Sequence, residues 1–170
     1  GKSPSKLDMA RILSMNETYI KMIDEKDLFS QLKDYVLKYK KPFDTSKDDI
    51  LIKCIGFLKN KAKTLEDIFN NAQYIVNDEI KIGEEDQKLL DDQSKLIIKD
   101  FMAEFEKLAL LSKETLEPLI NSLIKKHKTN FKGVGQPLRI GLTSSRFGPG
   151  LYDVILSLEK AQVVKRLSKI

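Results

Sequence analysis

The residue types that most often carry enzyme chemistry are scarce in this chain of 170 residues, which has one cysteine and one histidine. Cys54 lies in the apolar run 50–55, and that setting favours a small core residue over a nucleophile. His127 lies in the basic run 125–128, which predicts a neutral, exposed imidazole instead of a member of a triad or metal site. We therefore expect no catalytic residues and no metal ligands in this chain.

Two acidic clusters, at 84–86 and 91–92, lie where helices are expected to begin. Carboxylates there complement the helix macrodipole, so we favour this role over the alternative of a divalent metal site. Gly133 and Gly135 form a G-x-G pair, but no strand precedes it and no third glycine follows in register. A dinucleotide-binding loop is therefore a weak interpretation.

The basic charge is concentrated at the end of the chain. The net charge is +5, and residues 118–170 alone hold ten basic and two acidic side chains. Such a segment fits a polyanionic partner, although a solvated basic face explains the lysines equally well. The arginine guanidinium is a planar fork that can bind a base edge. The chain has 26 lysines and only four arginines, which are Arg11, Arg139, Arg146 and Arg166.

The composition is that of a globular protein, with 41% hydrophobic and 32% charged residues. A single cysteine excludes a disulfide framework and favours a reducing compartment, so we expect a cytoplasmic protein. No apolar run approaches 18 residues, which predicts no membrane span. The chain begins at Gly1 without a methionine, which we interpret as the start of a piece cut from a longer protein.

The elements that position these residues are predicted to be helices, because apolar residues recur at steps of three and four. We expect about eight helices, no substantial sheet (the stretch 77–83 is too short) and hence an all-α fold. Caps are predicted at Ser46, at Thr64 with Asp67, and at Ser112 or Thr115. The buried faces expected from this spacing are Leu28, Leu32, Tyr35, Val36 and Tyr39; Leu90, Ile97, Phe101, Phe105 and Leu108; and Leu151, Val154, Ile155 and Leu158.

Joints between helical regions are predicted where glycine and proline are frequent. One is 40–45, which contains Pro42, and another is a break near 111–115 that would divide the chain into two lobes. The stretch 129–150 has five glycines and two prolines and is expected to be the least regular part.

Three stretches then resemble a known family, bacterial-type glutamyl-tRNA synthetase, in the family's order and across the whole chain. The first resembles a KLxW…NxxYIR pattern, the second "LLKERAKTL", and the third, which is the most specific, "QPLRVALTG…GPGLF…RL". The matching residues are 5–8 with 16–21, then 57–65, and finally 136–143, 148–152 and 166–167. This sequence departs from the family's usual residues at Glu17, Lys21, Gly141, Ser144 and Glu159, where glycine, arginine, alanine, glycine and glycine are common.

The resemblance implies the C-terminal, anticodon-binding half of such an enzyme, a two-lobed all-α helical bundle. It implies a stem-contacting segment at 1–43, a first anticodon-binding lobe at 44–112 and a second at 113–170. The full-length enzyme is a ligase that joins glutamate to tRNA(Glu) through a glutamyl adenylate, and ATP and Mg are implied for that form. The family's HIGH-like motif and KxSK-like loop are absent from this chain, so we expect no cofactor and no catalysis here.

The resemblance also places individual residues at anticodon-contacting positions, namely Arg139, Gly148, Pro149 and Leu151. In the family, an arginine of the first lobe reads an anticodon base. The resemblance places that position in the stretch 59–63 of this chain, at Lys61. A lysine there weakens strict readout, which leads to the hypothesis that tRNA(Gln) is accepted as well as tRNA(Glu). Tyr152 is expected to pack in the core more than on a base. Further expected tRNA contacts are Lys59, Lys63, Arg146, Phe147, Lys126 and Lys128.

The implied partner is thus tRNA(Glu), with tRNA(Gln) as the second hypothesis. We expect no membrane partner and a monomeric protein. The alternative function is a helical protein–protein interaction module with no nucleic-acid role. Salt separates the two functions, because RNA affinity falls linearly with the logarithm of the salt concentration.

Overall fold

The computed structural model of the chain describes residues 16–170. It divides into two compact units, with the boundary between Asn77 and Asp78. No strand occurs in residues 16–170, which confirms the all-α prediction. This described part holds ten α-helices, two more than the expected eight, because a one-turn helix lies at 84–87 and another helix occupies the region expected to be irregular.

The described part of the first unit consists of four α-helices and one 3-10 turn. These are α1 (16–22), α2 (Glu25–Lys38), the 3-10 turn Thr45–Lys47, α3 (Asp48–Leu58) and α4 (Leu65–Val76). Helices α2, α3 and α4 pack against each other in pairs. Their facing leucines and isoleucines are fully buried, among them Leu28, Leu51 and Ile68. Cys54 is 5% exposed on α3, which confirms the core position.

In the described part of the first unit, side-chain hydrogen bonds cap the 3-10 turn and α4. Thr64 and Asp67 form the predicted reciprocal capping box. The Thr64 hydroxyl oxygen accepts the Asp67 N–H, and the Asp67 carboxylate accepts the Thr64 N–H. The predicted cap at Ser46 is wrong, because Ser46 lies inside the 3-10 turn. Asp44 caps that turn by accepting the Ser46 N–H at 2.9 Å, and α3 then begins directly behind it at Asp48.

The second unit holds six α-helices arranged around one central helix. In order they are α5 (Glu84–Gln87), α6 (Asp92–Glu106), α7 (Lys113–Lys126), α8 (Phe131–Thr143), α9 (Leu151–Ser157) and α10 (Lys160–Leu167). Helix α8 packs against α6, α7, α9 and α10. The core contains the stacked pair Phe101 and Phe105, whose ring centroids are 5.1 Å apart. Most expected buried positions are buried, but Tyr35, Leu108 and Leu158 are only half-buried and Tyr39 is 56% exposed.

The expectation that 129–150 is irregular was wrong for its first half, which forms α8. Asn130 caps the helix by accepting the Gly133 N–H at 2.8 Å. Its glycines permit close packing, since a Cβ on Gly141 would lie 2.8 Å from Leu167 Cδ2. Burial of α8 on four sides therefore outweighs the low helix propensity of glycine and proline.

The predicted break at 111–115 is not a boundary between compact units, because α6 and α7 on either side of it pack together. It is the start of α7, where Ser112 is the cap and forms a capping box with Thr115. The division by function into 1–43, 44–112 and 113–170 stays a prediction.

Candidate nucleic-acid interface

The site predicted in the second unit lies where α8 ends and the chain turns into α9. Ser144 ends the helix in the left-handed conformation, with φ 68° and ψ 6°. The Thr143 hydroxyl donates to the Arg139 carbonyl at 2.9 Å and accepts the Ser145 N–H at 3.3 Å. The Ser145 hydroxyl oxygen accepts the Phe147 N–H at 3.0 Å. Local hydrogen bonds therefore fix the turn 144–150 before any ligand binds.

Arg139 links the helix to the far end of this turn. Its Nε donates to the Pro149 carbonyl oxygen at 3.3 Å, across ten residues of sequence. The side chain is half-buried, and that burial lowers the pKa of the guanidinium from its ordinary value. An arginine still remains protonated at neutral pH. Arg139 thus presents a fixed positive charge beside the turn.

The side chains of Pro149 and Leu151 point away from solvent. Pro149 is buried and Leu151 is 2% exposed. Gly148 adopts a φ of +126°, a conformation that favours glycine, and a Cβ there would meet nothing within 4 Å. Pro149 and Leu151 are buried as whole residues, so of these three positions only Gly148, which lies next to open space, is accessible to a ligand in this structure.

The aromatic residues flanking the turn differ in exposure. Phe147 is 74% exposed. Tyr152 is partly buried, with its ring centroid 6.0 Å from that of Phe131 and Lys113 Nζ 5.9 Å away. Burial, and then the nearby Glu117 charge, raise the pKa of the Tyr152 hydroxyl. These contacts agree with a packing role for Tyr152 and leave the Phe147 ring accessible.

Arg146 is held by a carboxylate that the sequence pattern did not single out for this role. Its Nε lies 2.8 Å from Asp86 Oδ1, and its guanidinium carbon lies 5.4 Å from the Phe147 centroid. Arg166, in contrast, is 4% exposed and donates to the Leu142 carbonyl at 2.7 Å. Arg166 therefore supports the end of α8 from inside. Arg11, like the matched residues 5–8, lies outside the described residues.

The basic residues at the end of α7 surround one carboxylate. Lys126 Nζ lies 3.0 Å and His127 Nε2 lies 2.7 Å from the same oxygen, Asp100 Oδ2. The prediction of an exposed His127 was wrong, because its side chain is only 12% exposed against α6. Lys126 and Lys128 are exposed to solvent, as a phosphate contact requires.

The candidate lysines of the first unit have different surroundings. Lys59 Nζ donates to the Lys21 and Ile23 carbonyls at 3.2 and 3.4 Å, so it fixes the chain after α1. Lys61 and Lys63 are exposed, and Lys61 has a left-handed φ of 66°. Of the three, Lys61 and Lys63 have side chains that can reach a ligand.

Two types of site are not found in the described part of the chain. Residues 16–170 contain no group of three or more His, Cys, Asp or Glu side chains placed to hold a metal ion. None of their helices has the length and apolarity that crossing a bilayer requires.

The class of protein follows from a match to a family of known proteins. The family model "Anticodon binding domain" matches residues 27–170, and the chain belongs to this family.

Two relatives that match this chain are both named glutamate–tRNA ligase. The chain is 57% identical over 167 residues to the glutamate–tRNA ligase of Pelagibacter ubique, covering 98% of the chain and 36% of that protein. It is 29% identical to the glutamate–tRNA ligase of Wigglesworthia glossinidia brevipalpis, covering 98% and 35%. The chain thus spans about a third of the length of the curated relatives it matches.

Solved structures show the same fold. A crystal structure of a glutamate tRNA ligase from Elizabethkingia meningosepticum, in complex with its amino acid, matches with a TM-score of 0.72 at 18% identity. That match covers 92% of this chain and 31% of the other. The glutamate-tRNA synthetase of Elizabethkingia anophelis matches with a TM-score of 0.71 at 20% identity, covering 99% and 32%.

Proposed function

We propose that this chain is the tRNA-binding part of a glutamate–tRNA ligase, and that the turn 144–150 with Arg139 contacts the anticodon. The observation that carries this proposal is the bond from Arg139 Nε to the Pro149 carbonyl, which joins two anticodon-contacting positions of the family in one rigid unit. Membership of the anticodon-binding family favours this function over a protein–protein interaction module.

The chemistry of the site suits an unpaired RNA loop. Anticodon bases are not paired within the tRNA, so a protein can hydrogen-bond their Watson–Crick edges. Arg139 supplies guanidinium donors for a base edge or a phosphate. The Gly148 backbone, which lies next to open space, supplies a further contact, while the buried residues Pro149 and Leu151 hold the turn in place. Lys126 and Lys128 contact phosphates and carry no sequence information.

The whole enzyme would ligate glutamate to tRNA(Glu) with ATP and Mg. Those groups would be held by a catalytic domain whose motifs this chain does not contain. We also propose that the protein is a cytoplasmic monomer, and that Lys61 permits binding of tRNA(Gln). An exposed lysine provides one point charge where an arginine would provide a bidentate fork.

Titrations with tRNA transcripts test the proposal. Arg139→Ala should weaken binding of the tRNA(Glu) transcript by about 1–3 kcal/mol. The same substitution should have little effect on a transcript whose anticodon is replaced. Arg139→Lys, which keeps the charge but loses the fork, should also lose the preference for the cognate anticodon. Lys126→Ala is the control and should weaken binding of both transcripts equally.

Two results would overturn these assignments. Unchanged affinity in Arg139→Ala, with an unchanged melting temperature, would remove Arg139 from the site. A changed base preference in Lys126→Ala would contradict its role as a phosphate contact. A tRNA(Gln) transcript in the same titration tests the second hypothesis, which fails if the wild-type chain strongly rejects it.

A further inference from the structure

Phe147 is a large apolar side chain that the fold exposes on a fixed backbone. The residue is 74% exposed, while its backbone N–H donates to the Ser145 hydroxyl oxygen at 3.0 Å. The next residue, Gly148, has open space where a side chain would be. A flat apolar ring beside an unfilled space can accept another flat ring.

The Arg146 guanidinium lies against this phenylalanine and is held from behind. Its central carbon is 5.4 Å from the ring centroid, and its Nε is 2.8 Å from Asp86 Oδ1. Both the Nε and the Oδ1 atoms are shielded from solvent, and they form an ion pair without hydrogen-bond geometry. Water therefore screens this ion pair less than it would an exposed pair. Asp86 fixes the rotamer of a side chain that is otherwise flexible, and so fixes the surface next to Phe147.

We propose that Phe147, supported by Arg146, forms a stacking platform for one unpaired base of the bound tRNA, and that Asp86 is its positioning residue. The proposal rests on the proposed function, because it needs an unpaired RNA loop at the turn 144–150. It assigns Arg146 mainly to the support of the platform, since Asp86 already neutralises its charge. Bases of every type stack on aromatic rings, so the platform adds affinity more than base selectivity.

The location favours an RNA base over a protein side chain as the occupant. Phe147 lies two residues from Pro149, whose carbonyl is bound by Arg139. The segment 118–170 that contains them has ten basic and two acidic side chains. Apolar stacking next to cationic groups is the combination that single-stranded nucleic-acid sites use.

The first arm of the test measures stacking directly. Transcripts of tRNA(Glu) carry the fluorescent base 2-aminopurine at one anticodon-loop position at a time and are titrated with the full 170-residue chain. The wild-type chain should quench the fluorescence at one position, because stacking on an aromatic ring quenches this base. Phe147→Ala should abolish that quenching and weaken binding about 5- to 150-fold. Phe147→Tyr should restore both.

The second arm tests the role of Asp86 by asking whether its substitution strengthens or weakens tRNA binding. Asp86→Asn makes the chain more positive, and that change alone would strengthen binding to a polyanion. A positioning role predicts the opposite, namely several-fold weaker binding and reduced quenching at the same position. Glu84→Gln is the matched control, because it removes one exposed charge from the same helix. It should leave quenching unchanged and should not weaken binding.

A double variant separates positioning from general stability. If Asp86 acts only through the platform, Asp86→Asn should have no further effect in a Phe147→Ala background. A substitution that damages the fold would lower affinity in both backgrounds and lower the melting temperature.

The outcomes distinguish this proposal from the one on which it rests. Unchanged quenching and affinity in Phe147→Ala, together with weaker binding in Arg139→Ala, would reject the platform and keep the anticodon function. Tighter binding in Asp86→Asn, equal to that in Glu84→Gln, would reject the positioning role. No anticodon-dependent binding by the wild-type chain would reject the proposed function itself.

Discussion

Ser144 is the residue at which the backbone leaves the right-handed region at the end of α8. Its φ of 68° is a conformation that costs an L-residue about 1 kcal/mol and that glycine adopts freely. The Ser144 N–H donates to the Ile140 carbonyl at 2.9 Å, and this backbone bond survives any side-chain change.

Ser144→Gly should therefore stabilise the protein by about 0.5–1 kcal/mol, a rise of a few degrees in melting temperature. The neighbouring substitution Ser145→Gly is the control, since it removes the hydroxyl that accepts the Phe147 N–H and should lower the melting temperature. A lower melting temperature in Ser144→Gly would contradict the strain assigned to this position.

The sequence predicted the positions of some site residues and gave no indication of several contacts between helices. The resemblance assigned Arg139 and residues 148–151 to one site, and the structure joins them through the bond from Arg139 Nε to the Pro149 carbonyl; their contact with an anticodon stays a prediction. The Asp86–Arg146 and Asp100–His127 contacts join different helices, and the sequence contains no local signal for either pair. His127 was expected to be exposed because it lies in the basic run 125–128, and no residue near it in the chain points to Asp100.

At the level of elements, Asp100 joins α6 to the end of α7. Its carboxylate is bound by Lys126 Nζ and His127 Nε2. The hydrogen bond from Lys126 is the main cause of a lowered pKa, and the bond from His127 adds to it, while partial burial opposes them. The folded-state pKa of Asp100 therefore lies below the ordinary value of 3.8.

This lowered pKa predicts how Asp100 contributes to stability with pH. A carboxyl with a depressed pKa stabilises the fold at pH values above its unfolded pKa. The contribution is lost as the pH falls through the folded-state value. Asp100→Asn should thus cost a few tenths to about 1 kcal/mol at pH 7, and the difference from wild type should shrink below pH ~4.

Thermal melts of both proteins between pH 7 and pH 2.5 measure this difference. Glu106→Gln, which removes an exposed charge from the end of the same helix, provides the comparison for general charge effects. A difference between wild type and Asp100→Asn that stays constant across the range would contradict the assigned ion pairs.

Elements with conventional caps and apolar stripes were predictable, and α8 was not. The capping box at Thr64 and Asp67 was identified from two residues three apart, since its chemistry is entirely local. Helix α8 contains Gly133, Gly135, Pro137 and Gly141, which by propensity alone indicate a loop. Its stability comes from packing against four other helices, and that information is distributed over the whole second unit.

On the scale of the whole molecule, the compact units do not follow the predicted joints. The chain divides between Asn77 and Asp78, next to Glu79, in a polar stretch without proline. The region 111–115 reads as a break because a helix begins there. Boundaries between units depend on which helices pack together, and local composition records this poorly. The all-α class was predictable, because the helical period runs through nearly the entire chain.

The central claim is that the turn 144–150 and its flanking residues contact the anticodon loop. Hydrogen–deuterium exchange of the 170-residue chain, with and without a tRNA(Glu) transcript, tests it most directly. The account predicts slower exchange of the amides of 144–152 with this transcript, and a much smaller effect with a transcript whose anticodon loop is replaced. Unchanged exchange at 144–152 under saturating tRNA(Glu), with protection confined to other parts of the chain, would contradict the account.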